Sequence, residues 1–471
     1  MTTSRITIIG SALSGNKGAA AMLESAIQTL TERLGDVEFT LLSMYPVEDA
    51  EQNHYDNLKI VAANPKQLGV TINALALAHR LLPFARKTIE RRSKAVGALV
   101  AADVLLDQGG ITFTDGREKF LLYNIASILP ALNTHTPVFK CAQAVGPFKN
   151  PVNRIASKTF LPKARTLVTR GRITHEFATG LGLKNLYAGA DYAFSLEMSG
   201  SEGDEVAKHV DLSFFDGGDV VGVCPSVVLQ KKVDGSGGDY AGEIIAFIEH
   251  LQSAGKRVLL VPHSVRTGTD KTHNNDLPLC RDIYQRLGAS KDVLFIDREL
   301  SSQQLRYLIG RCDLFVASRF HAMVSSLAMA VPTLVIGWSH KYREVLEMFD
   351  LEEWAFGHDQ LSGAYLRERF EALAAARSDV QAKLDSHLPG VKKRSVAQAD
   401  LIAEIVRDSR SGPTPRRGVV RSGIIFLTGQ PLLCGGAAWQ RYLLATTSRL
   451  NEPTTSSWMR TDTACEPVDL M

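Results

Sequence analysis

This chain is short of almost every feature that would assign it quickly. No two of its six cysteines stand at Cys-x-x-Cys spacing, so neither a zinc knuckle nor a dithiol redox pair is encoded. Asp-x-Asp, His-Glu-x-x-His, Gly-x-Gly-x-x-Gly, a Walker lysine and Gly-x-Ser-x-Gly are all absent, which removes the simplest metal, dinucleotide, P-loop and hydrolase readings. Charge of one sign is also scarce. With 53 Lys and Arg against 50 Asp and Glu, the net charge is +3, too little for the broad basic surface of a nucleic-acid binder. Long apolar runs are missing as well. The N-terminus MTTSRITIIG enters a strand-like run without the apolar core of a signal peptide. Val70–Phe84 is broken by Asn73, His79 and Arg80 and falls short of the ~20 residues a bilayer span needs. A cytoplasmic protein is expected, with a peripheral contact at the inner membrane face left open.

What is present is material for large cores. The 471 residues are 45% hydrophobic, enough for two or three globular domains. Cys141, Cys224, Cys280, Cys312, Cys434 and Cys465 mostly sit in or near apolar runs and read as buried thiols in a reducing compartment. Strand-like and helix-like segments alternate: strands at Arg5–Gly10, Val37–Ser43, the VLLD ending at Asp107, Val138–Val145 and Thr166–Arg170, with a helix over Gly18–Leu34. A second series follows, with strands in VVGVCPS, Arg257–Pro262, Val293–Ile296, Leu314–Ser318 and Thr333–Gly337. Helices are expected over Tyr240–Ala254, Leu277–Gly288, Ser301–Arg311 and Phe320–Ala330. Such βα alternation predicts α/β architecture: two Rossmann-like doubly wound domains in a GT-B-like arrangement, with a cleft between the strand ends.

The expected divisions are 1–200 for an N-terminal Rossmann-like domain, 215–390 for a C-terminal one, 391–408 for a terminal helix and 409–471 for a basic linker and a poorly ordered or accessory tail. A Gly-, Ser- and acid-rich stretch near 198–218 supplies the interdomain linker. Within the tail, Gly423–Ala445 is moderately apolar. Its Gln430, Pro431, Gln440 and Arg441 argue against a membrane anchor.

The strongest local signal is DLFVASRFHAMVSSLAMAVPTLVIGWSHKYREV, beginning at Asp313. A strand ends at Ser318 and a helix begins near Phe320, whose apolar stripe is Phe320, Met323, Val324 and Leu327. His321 and, one turn on, Ser325 fall outside that stripe. The turn offers Ser318, Arg319, His321 and free N–H groups at a helix N-terminus, which together make an anion site beside an acid/base group. The bland alternative is a loop-capping arginine and a satisfied structural histidine. Two other strand exits in the same half carry polar groups, His263 with Ser264 and His340 with Lys341. In the first half, Gly15, Asn16 and Gly18 follow the first strand, Gln108-Gly109-Gly110 makes a second strand-end turn and Gln143 opens a third. Arg170 ends a short strand and reads equally well as a cleft residue or a surface ion pair. His273 and Asp276 read as loop residues, and no metal or other cofactor is expected.

These pieces in their order (GNKGAAAML, DQGG, QAVGPF, VTRGRITHEFATGLGL, GADYAFSL, LVPHS, FVASRFHAMVSSLAMAVPTLVIG) resemble the polysaccharide pyruvyl transferase family over roughly residues 5–355. The resemblance implies transfer of the enolpyruvyl unit of phosphoenolpyruvate to sugar hydroxyls of a polysaccharide or its lipid-linked precursor, closing a pyruvate ketal. Arg319 and His321 match the family's Arg-x-His, and Arg170 its mid-chain arginine. Ala19, where the family often has an acid, and the two-glycine turn at Gly109-Gly110 depart from its pattern on the acceptor side. Donor contacts are then expected from Arg170, Arg319, Ser318, Lys341 and Ser325. His321 and His263 share acid/base work, and Gly15, Asn16, Gly18, Gly109, Gly110 and Gln143 flank the acceptor. Two alternatives remain: a GT-B glycosyltransferase using a nucleotide sugar, and a non-catalytic binding protein on the same scaffold.

Overall fold

A computed structural model describes residues 3–266, 274–288, 290–337 and 340–410. The expectations for the tail beyond 410, for Cys434 and Cys465, and for His273 lie outside these residues, as does the side chain of His340.

Two parallel sheets organise the chain. The first contains β1 (Ser4–Ile9), β2 (Val37–Ser43), β3 (Leu58–Ala62), β4 (Val104–Asp107), β5 (Ile111–Thr114), β6 (Val138–Gly146), β7 (Thr166–Thr169) and β8 (Leu186–Ala188). Their order is β3-β2-β1-β4-β6-β7-β8, with β5 pairing the C-terminal end of β6. The second contains β9 (Val220–Cys224), β10 (Arg257–Leu260), β11 (Val293–Phe295), β12 (Leu314–Ala317), β13 (Thr333–Gly337) and β14 (Ala355–Gly357). It runs β11-β10-β9-β12-β13-β14. Every ladder in both sheets is parallel.

The central strands are unbroken apolar runs because helices cover both faces. VVGVC, LFVA and TLVIG are buried at every position. In each sheet the chain winds outward from the first strand on one side and then returns to build the other. The reversals fall between β1 and β4 and between β9 and β12. A crevice opens at such a reversal, beyond the carboxyl ends of the strands. The residues just past those ends are Gly10 and Gln108–Gly110 in one half, and Pro225, Ser226 and Ser318–His321 in the other.

Polar contacts join the halves around this crevice. Lys17 donates to Glu299 at 2.6 Å, and Glu344 accepts from the backbone and hydroxyl of Thr174 at 2.6 and 3.1 Å. Buried Arg306 donates to the carbonyls of Ala193 and Leu196 at 2.8 and 2.9 Å. The stretch expected as a linker holds the helix Glu202–Ala207. The last described helix, Arg377–Arg410, starts well before residue 391 and ends against the first sheet. There Gln398 accepts from Ala142 N at 2.8 Å and donates to the Ala190 carbonyl at 3.0 Å. The thiols of Cys141, Cys224, Cys280 and Cys312 are free and buried.

Candidate active site

Both halves line one cleft, formed by Asn16, Gly110, Ile111 and Arg170 on one side. Ser226, Val228, His263, Ser264, Arg319, Phe320, His321, Lys341 and Tyr342 form the other. No acidic side chain lines it among the described residues. The walls are strand exits: Arg170 follows β7, Ser226 β9, His263 β10, Arg319 to His321 β12 and Lys341 β13.

Arg170 is 2% exposed. Its Nη1 donates to Asp191 Oδ2 at 3.1 Å, while Nε and Nη2 are buried with no hydrogen-bond partner among the described residues. Those two nitrogens form one edge of the guanidinium, with N–H bonds that run parallel, the geometry a carboxylate or phosphate accepts. The plane lies over the ring of Phe320, 4.4 Å from its centroid, and Lys341 Nζ stands 5.1 Å from the same centroid. Phe320, read from the sequence as one of an apolar stripe, is therefore the platform on which cations from both halves rest.

His321 meets Phe320 edge to face. Its Nε2 lies 3.7 Å from Asp191 Oδ2, beyond hydrogen-bond length, and joins the two Arg170 nitrogens as a third buried atom without a partner among the described residues. Burial by itself would raise the Asp191 carboxyl, but the imidazole, Arg170 and the Ala193 N–H together hold it well below the usual carboxylate range. The other face of the imidazole is closed by the helix Lys17–Leu34, which Asn16 caps by accepting from Gly18 N at 3.0 Å. A Cβ added at Gly18 would overlap the imidazole ring. Glycine here serves close approach, and the helix N-terminus acts as a stop for the His321 ring. The Ser226 hydroxyl is a further buried group on the cleft wall with no partner among the described residues. Each such unsatisfied group costs about 1–3 kcal/mol, so their convergence marks a place built for a ligand.

Arg319 behaves differently from the expectation. Its Nε donates to Asp276 at 2.8 and 3.1 Å, Nη2 to Asp276 at 2.5 Å and Nη1 to Asn274 at 2.6 Å. Asp276 lies, as expected, in the loop before the helix Leu277–Arg286, but it is also a fully buried hub. Besides Arg319 it accepts from Val227 N and Ser264 N, both at 3.0 Å, tying three strand exits together. His263 is buried beside this cluster. Burial, with His321, Arg319, Arg306 and Lys17 nearby, drives its imidazole well below the ordinary value, so it is neutral.

Several expected contacts do not reach the cleft. Ser318 is buried behind it, accepting from Tyr240 Oη at 2.8 Å. Ser325 is buried on the helix Phe320–Ala328 and is no part of the lining. Gln143 accepts from Thr112 Oγ1 at 2.6 Å and donates to the Asp107 carbonyl at 2.8 Å, which makes it a clamp between strand ends. Gly15, at φ +71°, donates to Glu299 at 3.1 Å and abuts Arg266; it shapes the loop without lining the cleft. Gly109 and Gly110 line a second cavity, with Asp107, Thr112, Arg117, Phe120, Tyr123, Asn124 and Ser127 among its walls. Gly110 and Ile111 belong to both cavities. Burial, with Asp107 and Tyr45, pushes the Tyr123 hydroxyl up, so it stays a donor. Asp191, Asp276, Ser226 and Tyr342 were not anticipated as site residues.

Two Rossmann-type sheets enclosing an anion-ready cleft define a GT-B fold. Solved structures agree on that fold. UDP-GlcNAc 2-epimerase from Neisseria meningitidis, bound to UDP-GlcNAc, superposes with a TM-score of 0.56 at 11% identity, covering 86% of this chain and 100% of that one. A UGT transferase from Siraitia grosvenorii in complex with UDP gives 0.52 at 12% identity, covering 86% and 100%. Sequence narrows the class. Residues 16–340 match the polysaccharide pyruvyl transferase model, and the chain belongs to that family. A curated relative, the amylovoran biosynthesis protein AmsJ of Erwinia amylovora, is 22% identical over 378 residues, 74% of this chain and 87% of the relative.

Proposed function

We propose that the cleft transfers the pyruvate unit of phosphoenolpyruvate to sugar hydroxyls of a polysaccharide or its lipid-linked precursor and closes a ketal. The single observation that carries this is the unsatisfied Nε/Nη2 edge of Arg170, buried in a cleft without acidic lining. A small planar oxyanion completes it, and Lys341 and the uncapped N-terminus of the helix Phe320–Ala328 add positive potential for a second anionic group. Family membership and the exopolysaccharide relative support the acceptor class.

In this reading His321 gives its Nε2 proton to the methylene carbon of phosphoenolpyruvate. Cationic charge develops at the central carbon, and a sugar hydroxyl attacks there. Neutral His263 accepts the hydroxyl proton. The C–O bond to phosphate then breaks, inorganic phosphate leaves with the proton that His263 had accepted, and a second hydroxyl on the sugar takes its place, its proton restoring His321. Arg170 and Lys341 stabilise the departing charge. The cavity beyond Gly110 and Ile111, with its Tyr123 donor, suits the sugar.

The test is release of inorganic phosphate from phosphoenolpyruvate in the presence of a glycan acceptor, together with calorimetric binding of phosphoenolpyruvate. Saturable binding lost in Arg170→Ala, and turnover lost in His321→Ala with binding kept, are expected. Binding of a nucleotide sugar without binding of phosphoenolpyruvate would overturn the reading in favour of glycosyl transfer.

A further inference from the structure

Residues 66–94 form a surface that the cleft does not use. They build a bent helical segment, Gln67–Leu81 followed by Pro83–Arg92, turned through 119°. An ordinary surface helix carries one apolar stripe, directed inward. Gln67–Leu81 carries two. The inner one, Leu68, Ile72 and Ala76, is buried. The outer one, Val70, Leu77 and Leu81, is exposed and continues through Leu82 to Phe84, which stands 86% exposed at the corner. Large apolar side chains gathered in this way mark a surface meant to be covered.

The cover is indicated by charge. Lys66, Arg86, Lys87, Arg91, Arg92 and Lys94 are all exposed on the same segment. Its one carboxylate, Glu90, faces buried His79 at 2.9 Å and offsets little of that positive field. An apolar corner flanked by exposed cations is what a bilayer interface accepts: the ring and leucines enter the acyl boundary, and the guanidinium and ammonium groups meet lipid phosphates. The depth of the stripe is that of an interfacial helix, since the inner stripe stays packed in the protein.

We infer that this segment docks the protein on an anionic lipid bilayer. The placement has a functional consequence. Asn73 donates to the Ala126 carbonyl at 3.1 Å, so the segment is fastened to the helix Leu121–Thr134, whose Tyr123, Asn124 and Ser127 line the second cavity. Docking sets that helix close to the membrane surface. The docking inference itself stands apart from the reaction assigned above.

Sedimentation of the full chain with vesicles tests it without any need for turnover. Phosphatidylcholine vesicles containing phosphatidylglycerol should bind the protein, pure phosphatidylcholine vesicles much less, and added salt should weaken the binding. The double variant Leu77→Ser/Phe84→Ser, and separately Arg91→Ser/Arg92→Ser, should each lose about tenfold or more in vesicle affinity with an unchanged melting temperature. Equal binding by wild type and both variants would mean that another segment docks the chain and would overturn the inference. So would absence of vesicle binding, or a dimer in light scattering that the Leu77→Ser/Phe84→Ser variant dissolves.

Discussion

Two triads of the same composition flank the cleft, and their arginines do opposite jobs. Arg170, Asp191 and His321 form one; Arg319, Asp276 and His263 form the other. In the first, the carboxylate is shared: Arg170 gives it one nitrogen at 3.1 Å, His321 stands at 3.7 Å, and one edge of the guanidinium is left over. In the second, Arg319 gives the carboxylate three contacts and spends Nη1 on Asn274, so His263 is left among cations with no carboxylate of its own among the described residues. A guanidinium whose donors are consumed holds strand exits in place. One whose parallel edge is open can bind a substrate.

The comparison breaks most visibly in stability. Arg319→Ala leaves Asp276 buried without its counter-ion, and losing one partner of a buried pair costs about 3–5 kcal/mol. Denaturant unfolding should show that loss. A variant as stable as wild type would show that the Asp276 cluster does not hold the loops.

Arg170→Ala should instead be read in binding. The open edge offers two charge-assisted hydrogen bonds, each contributing about 1.5–3 kcal/mol, so phosphoenolpyruvate affinity should fall by roughly a hundredfold or more in titration calorimetry. If Arg170→Ala and Arg319→Ala lowered affinity equally, with equal loss of stability, the division of labour between the two arginines would fail.

Gly18→Ala sharpens the comparison on the side of the first triad. The new methyl overlaps the His321 imidazole, and a displaced acid/base group costs on the order of a hundredfold in rate. The expected signature is reduced turnover with phosphoenolpyruvate affinity nearly kept, since Gly18 does not line the cleft. Loss of affinity with unchanged turnover would place the ring elsewhere in the chemistry.

Much of this was readable before the structure, and the misses have physical causes. The long interior strands declared themselves as apolar runs; Val37–Ser43 and Thr333–Gly337 were anticipated to the residue. β3, β5, β8 and β14 are 3–5 residues long, and too little of each is apolar run to stand out from its surroundings. Arg170 and Arg319 looked alike because each follows a strand, and a strand exit says nothing about which acid will face it. Asp191 lay in plain view in GADYAFSL, and Asp276 in NNDLPL. Asp276 stands just before the helix expected from Leu277, and that helix does begin there. Its carboxylate, however, turns away from that helix to Ser264, Val227 and Arg319, a tertiary choice that local sequence does not encode. Ser318 and Ser325 are drawn to the site by their closeness to His321 in the turn and along the helix, whereas Ser318 turns its hydroxyl to Tyr240 and Ser325 is buried away from the lining.

The smallest expected effect concerns the second histidine and follows from its neighbours. His263 is pushed well below its ordinary value by burial and then by His321, Arg319, Arg306 and Lys17, so the folded chain keeps it neutral where the unfolded chain protonates it near pH 6.5. Below that pH the unfolded state binds the extra proton, and stability falls as pH falls, by up to about 1.4 kcal/mol per unit for one proton. Asp191, held well below its usual range, adds a loss of the same sign only at more acid pH. Glu24, raised by burial against its bonds to Ser302 and Gln303, acts with the opposite sign. Both remain in His263→Gln, so the difference between the two unfolding profiles isolates His263. That difference should be flat above about pH 7 and widen below 6.5, with the variant losing less stability on acidification. Parallel profiles would mean that His263 takes up its proton in the fold, and the triad built on Arg319 would then lack the electrostatic asymmetry that sets it apart from the one built on Arg170.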